Sequence, residues 1–480
     1  MTNSLLRITN GTITKNLATG DDMRLMQYKP TIVPTFGAYV EDQVRFSFVG
    51  SSGTVNKANF NAINLLLEQA RNYHNTETGA RVYLEYDPDG SGTYYRSQVT
   101  NGFMELTDET IGNRWDSAYL YVILHVTRDP FWEGALTQLP LTNSYDTGDT
   151  AGLRVDNTSI QVPSSTTIAW DDGTPILWDT DDVLEWDDLV GVQNFVDISG
   201  DDILGDLPAN LKIEIEHTKS GAAKTKEFFI WHNVYSFPGS FTHMLEAEDA
   251  TGATVTAHTD ATCQDGGYAT LAWTATTETQ IAEWTLSDEL VGNAAGGRFA
   301  VLARWRGAFP YTNCWTRLVL LTSNNKVLWR GDLVNVSSTR ELVLLNTMRL
   351  PPYLANMVNT KSIKLRLYAL RNQSGTHSID LDYLQFSPIS GDAGWKRFLS
   401  VDDGIAYQEK FIHDALERQD YLMDTTDGLI AEFTAYGGPI LLIPGRSQRI
   451  YFNTCDKDGA AKISQTFKIK VWYRPTRSAL

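Results

Sequence analysis

A period of two in the hydrophobic pattern constrains this chain more than any other feature. Val44–Val49, Ala80–Tyr86, Leu120–Val126, Leu211–Glu216, Phe299–Trp305, Ile363–Leu370 and Phe467–Tyr473 are short runs rich in Val, Ile, Tyr, Phe and Trp. Polar residues alternate with them, and Gly, Asn, Asp and Pro punctuate them. Successive side chains of an extended chain point to opposite faces, so each run presents an apolar face that must be buried. The fold class is therefore mainly β. The turn DPDGSG at 87–92 sits between two runs and reads as a hairpin. One segment follows another period: Phe60, Ile63, Leu66, Leu67 and Ala70 recur at steps of three and four, which predicts an amphipathic helix from about Asn56 to Tyr73. A second helix is read over Glu409 to Leu416.

At 480 residues the chain exceeds one core, and about three domains of roughly 150 residues are expected. Apolar residues at 42% and aromatics at 11% supply well-packed cores and exclude a disordered protein. A net charge of −18 argues against a nucleic-acid partner, which needs clustered Lys and Arg. Cys263, Cys314 and Cys455 are scattered and form no CxxC pair, so no disulfide framework or zinc knuckle is expected, and synthesis in a reduced cytoplasm is the simplest reading. The N-terminus, MTNSLLRITNGTITKNL, reaches Arg7 before any signal-peptide apolar region forms. The longest apolar stretch, around Ala118 to Val126, is too short to span a bilayer, so a soluble chain without membrane insertion is expected.

Composition shifts suggest the domain order. DPFWEG (129–134) closes a first unit, 1–141, and the Thr/Asn/Gly/Asp-rich 142–152 reads as a linker. SFPGSF (236–241) and SPISGDAG (387–394) mark two further junctions. They bound β material at 150–240, a compact β unit at 243–388 and β material again at 395–480. Because 150–240 and 395–480 are each short for a sandwich core, they are expected to form one interrupted sandwich.

The stretch IAWDDGTPILWDTDDVLEWDD (168–188) repeats every eight residues. Trp170, Trp178 and Trp186 each precede an Asp and follow Ile168, Ile176 and Leu184 by two positions. Apolar residue and Trp then share one face of an extended chain, and a step of eight fits a short strand plus a turn in a small meander. Its eight acidic side chains fall at turns and on the solvated face. Neither EF-hand spacing nor a glycine-rich nonapeptide repeat is present, although a cation site and a ligand platform remain the alternatives.

The N-terminal unit resembles the distal tail proteins of long-tailed bacteriophages. The matching parts are the early strand pair Ile8–Leu17, the 56–73 helix, a Tyr-rich hairpin and the closing strand YVILHVTRDPFW. The likeness continues in GDLPANLKIEIEH (205–217), and in QDYLMDTTDG, GGPILLIPGRSQRIYF and VWYRP within 419–475. The resemblance implies a split-barrel α+β ring domain followed by a galectin-like β-sandwich, in a homo-oligomeric ring, expected as a hexamer, that joins tail tube to baseplate. Hub or fibre proteins would be further partners, and the protein would sit at the virion tail tip after assembly in the host cytoplasm.

Residues 243–388 resemble jelly-roll carbohydrate-binding modules through MLEAED, DGGYATLAW, GGRFAVLARWRG and SIDLDYLQFSP. That resemblance implies a structural Ca2+ held by Glu246, Glu248 and Asp382 with backbone carbonyls. Sugar binding needs aromatic faces and a few polar groups, for which Trp305, Tyr311 and Trp315 with Arg306 and Asn313 are the candidates. Trp305 ends an alternating strand and equally suits a core. A host cell-surface polysaccharide would be the ligand.

No GxSxG, HExxH, P-loop or strand-linked GxGxxG occurs, so catalysis is not expected. The sequence thus reads as a structural component of a phage tail tip with an inserted glycan-binding module. The alternative is a free lectin-like protein or an appendage of a polysaccharide-degrading system.

Overall fold

The computed structural model describes residues 5–32, 39–106, 120–142, 152–156, 161–167, 185–191, 194–218, 224–225, 227–234, 244–252, 254–260, 263, 266–286, 291, 297–307, 309–336, 342–351, 362–388, 394–399, 404–432, 437–455 and 466–480. The chain forms two compact units. The first comprises Met1–Thr137, Leu204–Ala209 and Arg474–Leu480, and the second Gln138–Ile203 and Asn210–Tyr473.

The first unit carries β1 (Leu5–Thr9), β2 (Thr14–Asn16), β3 (Met23–Gln27), β4 (Val40–Phe48), α1 (Gly53–Thr76), β5 (Val82–Asp87), β6 (Tyr95–Leu106), β7 (Leu120–Arg128) and β8 (Trp132–Glu133). Its sheet runs β2-β1-β5-β6-β7-β4-β3 and is nearly closed, like a barrel. The C-terminal strand Thr476–Arg477 pairs with β8. Helix α1 begins after Ser52, whose side chain accepts from Val55 N, and ends at Glu77 in the left-handed region (φ 54°). Its apolar face, Ile63, Leu66, Leu67 and Ala70, is buried with Val44, Phe46, Leu84 and Leu124 of the sheet. Gly102 lets Leu67 come close. A Cβ there would lie 2.6 Å from the His125 carbonyl oxygen and 2.9 Å from Leu67 Cδ2.

The RDPFW phrase is explained by charge burial. Arg128 and Asp42 are both fully buried, and Arg128 Nε donates to Asp42 Oδ2 at 2.6 Å. The guanidinium lies 4.4 Å from the Trp132 ring centroid and donates through Nη2 to the Thr31 carbonyl at 3.0 Å. Tyr28 Oη and Thr31 N also donate to the Asp42 carboxylate, each at 2.8 Å. A buried pair is tolerable only with its remaining hydrogen-bonding capacity met in this way.

The next strands are β9 (Thr137–Gln138), β10 (Leu153–Asp156), β11 (Gln161–Thr167), β12 (Glu185–Gly191), β13 (Phe195–Ile198), β14 (Ala209–His217) and β15 (Glu227–Val234). An insertion follows: β16 (Met244–Glu246), β17 (Val255–Thr259), β18 (Gly267–Trp273), β19 (Thr279–Leu286), β20 (Arg298–Trp305), β21 (Trp315–Thr322), β22 (Val327–Arg330), β23 (Val334–Asn335), β24 (Leu342–Arg349), β25 (Ile363–Leu370) and β26 (His377–Pro388). The chain then gives β27 (Trp395–Leu399), β28 (Lys410–Asp414), β29 (Gln419–Met423), β30 (Leu429–Glu432), β31 (Leu441–Leu442), β32 (Gln448–Cys455) and β33 (Thr466–Tyr473).

Two sheets, β10-β33-β14-β28-β29-β30 and β13-β32-β15-β27, each draw strands from both sides of the insertion. Phe228 of β15 meets Phe467 of β33 edge-on at 5.1 Å, linking the two sheets. The insertion is itself two sheets, β17-β18-β26-β20-β24 and β19-β25-β21-β22, with Trp273, Trp284, Trp305, Leu320, Leu365 and Phe386 in one core. The outer face of its first sheet is also covered. Ala300, Leu302 and Leu342 pack with Phe195, Trp231 and Tyr451, and the buried amides of Gln385 and Asn453 donate to each other at 3.1 and 3.0 Å.

One expectation is corrected. Glu409–Leu416 is not helical: β28 pairs with β14 and β29, and Phe411 through Asp414 are buried. Neighbouring strands satisfy this backbone, and a lone short helix there would not bury the same residues. For the Trp-Asp repeat, β12 contains Trp186, which pairs with Thr166 of β11 in a two-stranded ribbon. Trp170 and Trp178 lie outside the described residues, as do SFPGSF at 236–241, positions 389–393 of SPISGDAG, and most of the 142–152 linker.

Candidate functional site

The candidate residues of the insertion lie on and around β20 and β26. Glu246 ends β16 opposite Tyr383 of β26, and Ala247 N donates to the Asp382 carbonyl at 2.9 Å. Here β26 bulges. Its register against β20 passes from Arg304↔Tyr383 directly to Trp305↔Leu381, which makes Asp382 the extra residue. The Asp382 side chain is fully buried and accepts from Arg304 Nη1 at 2.5 Å. Glu248 rests against Gly267, where a Cβ would fall 2.2 Å from Glu248 Oε1.

Among the described residues no group of three His, Cys, Asp or Glu side chains is arranged to hold a metal ion. Arg304 supplies the counter-charge for Asp382, and a cation at that carboxylate would face the guanidinium. Sequence reasoning missed Arg304. Its signal was a basic residue at an otherwise apolar strand end, in LARWRG, paired across the sheet with LDY.

The same surroundings silence the nearby thiol. Burial, and then the Asp382 charge, push the Cys263 thiol up to about 12. Burial likewise pushes the Cys314 thiol up to about 11. The Tyr383 hydroxyl, fully enclosed, is also raised.

The sugar candidates divide. Trp305 is 1% exposed, with its ring 5.0 Å from Phe309, so it is a core residue and not a stacking platform. Val301, Ala303 and Trp305 alternate inward along β20, which takes this indole into the sandwich. Arg306 lies just beyond it, donating through Nε to Asp260 Oδ2 at 2.6 Å, with its guanidinium 4.6 Å from the Tyr268 ring. Tyr311 Oη accepts from Ser378 N at 2.8 Å, and Arg371 stacks 3.9 Å from its ring centroid. Arg371 is held further by Gln373 Oε1 at 2.6 Å and His377 Nδ1 at 2.9 Å. Asn313 is exposed on the loop before β21. Trp315 opens β21 opposite Asn335 and Leu370, half-buried. Arg306, Tyr311 and Trp315 thus have different partners. Chemically, the arrangement offers the cation–π pairs Arg306–Tyr268 and Arg371–Tyr311.

No family model matches the chain, and no curated protein matches it. Among solved structures it is similar to the phage P2 baseplate in its activated conformation with Ca, at 12% identity over 47% of this chain and 71% of that chain, with a TM-score of 0.25. It is also similar to the infectious bursal disease virus VP2 subviral particle, at 10% identity over 72% of this chain and 81% of that chain, with a TM-score of 0.17. At these TM-scores neither likeness carries an argument.

Proposed function

We propose that the chain is a structural component of a bacteriophage tail tip, a ring-forming distal tail subunit with an outward-facing inserted sandwich. One observation carries the reading: a single β-sandwich is built from segments on both sides of the insertion, and the phrases of the distal-tail resemblance supply its strands. GDLPANLKIEIEH leads into β14, QDYLM is β29, and the GGPILLIPGRSQRIYF and VWYRP phrases supply β31, β32 and the end of β33. Other phrases occupy positions that constrain the first unit. Arg128 and Trp132 of RDPFW close its core, and Gly205 of GDLPAN (φ 109°) runs so near Thr476 that a Cβ would lie 2.5 Å from its carbonyl oxygen.

The function is assembly. Copies bury matched surfaces against one another in a closed ring, and the tail tube and hub or fibre proteins dock on it. Outward-facing apolar side chains on the first unit, Phe103 at 58% and Tyr121 at 45% exposure, suit such burial. Negative-stain electron microscopy of the purified full chain tests this. Closed rings of uniform diameter are expected, and fields of single particles over a wide concentration range would overturn the reading.

A further inference from the structure

Helix α1 carries a polar side chain within its buried face. Asn59 falls in step with Ile63, Leu66 and Ala70 and is itself 7% exposed. Its carboxamide is held at both ends. Nδ2 donates to the Asp21 carbonyl at 2.7 Å, and Oδ1 accepts from Lys15 Nζ at 2.9 Å. Lys15 lies on β2 with 20% of its side chain exposed, and its Nζ is 3.9 Å from Asp21 Oδ1. Asp21 is anchored in turn. Its backbone is left-handed (φ 49°), and Oδ2 accepts from Asn16 N at 2.8 Å and Asn16 Nδ2 at 3.0 Å. A primary amine, a carboxamide and a carboxylate therefore meet between strand and helix.

From this geometry we infer that Lys15 and Asn59 join in an intramolecular isopeptide bond. The Asp21 carboxylate takes a proton from the Lys15 ammonium, and the freed Nζ lone pair adds to Asn59 Cγ. The Cγ–Nδ2 bond then breaks. Asp21 relays the two protons shed by Nζ to Nδ2, which leaves as ammonium, and an Nζ–Cγ amide remains. Nothing is oxidised or reduced, and no co-reactant is needed.

The reaction runs once per molecule, so slow chemistry suffices. Groups held in contact react as though at about 10⁵ M or more, which the pinned carboxamide and carboxylate supply here. The new bond fastens α1 to β2 covalently and shortens the chain loop that unfolding could open. It forms within one copy of the chain, so it holds whether or not the chain assembles into a ring.

The test is mass spectrometry of the denatured full chain after incubation at mildly alkaline pH. A mass about 17 Da below that of the sequence is expected, the loss of one ammonia. Proteolysis should then release a branched peptide joining Lys15 to Asn59. D21N keeps an oxygen acceptor for Asn16 and a residue tolerant of left-handed φ, so it removes the proton carrier and retains the fold. It should form the bond at least about tenfold more slowly. K15R should give no branched peptide and a circular dichroism spectrum matching the parent. An undiminished mass in the parent, or equal rates in the parent and D21N, would overturn the inference. So would loss of ammonia without the branched peptide, because succinimide formation at Asn10-Gly11 or Asn101-Gly102 gives the same mass.

Discussion

Arg128 shows what a single residue contributes here. Its guanidinium is wholly enclosed, paired with Asp42 and stacked on Trp132. Arg128→Met would leave the Asp42 carboxylate buried with only the Tyr28 and Thr31 donors, so a loss of about 3 to 5 kcal/mol is expected in urea unfolding. A loss under about 1 kcal/mol would show that the pair is dispensable. The two described free thiols give a second residue-level prediction. With Cys263 pushed up to about 12 and Cys314 to about 11, both buried, neither forms thiolate near neutral pH. Peptide mapping after maleimide labelling should find both unmodified in the native protein and modified in guanidinium. Trp305 marks the limit of residue-level reading. An aromatic residue at a strand end suits a ligand platform or a core equally, and only the inward alternation of Val301, Ala303 and Trp305 decides between them.

At the scale of elements, the period-two runs were legible because alternation is itself the consequence of one-sided burial. Ile363–Leu370 forms β25 over those same residues, with strictly alternating burial, and Leu120–Val126 lies within β7. Helix α1 was equally plain from its three-and-four spacing, and the structure extends it to Gly53–Thr76. The segment Glu409–Leu416 was misread because its apolar residues are few and its partners, β14 and β29, include one nearly 200 positions away in sequence. The ion pairs between strands were illegible for the same reason, since register alone sets Glu283 beside Arg366. For Glu283, burial disfavours the charged form, but hydrogen bonds from Lys364 and Arg366 outweigh it and hold the carboxyl below its ordinary value of 4.5. A depressed carboxyl contributes stability above its unfolded value and loses that contribution as pH falls through its folded value. Unfolding between pH 6 and pH 3 should therefore show E283Q less stable than the parent near pH 6, with the gap closing below about pH 4.5. A gap independent of pH would contradict this.

At the scale of the molecule, the shortness of 150–240 and 395–480 led to the expectation of one interrupted sandwich, and the two sheets interleave strands from both sides of the insertion. The covering of the insertion's first sheet by Phe195, Trp231 and Tyr451 had no local signature, since it joins residues far apart in the chain. The Arg304–Asp382 pair bears on calcium as well. Thermal unfolding with chelator or with millimolar calcium should give the same midpoint, and a rise of several degrees with calcium would restore the expected ion site. The central claim, assembly into a closed ring, is tested most directly by light scattering on the full chain across a concentration series. A single species with the mass of six 53.6 kDa chains is predicted, and a mass that stays at one chain up to the highest concentration would contradict it.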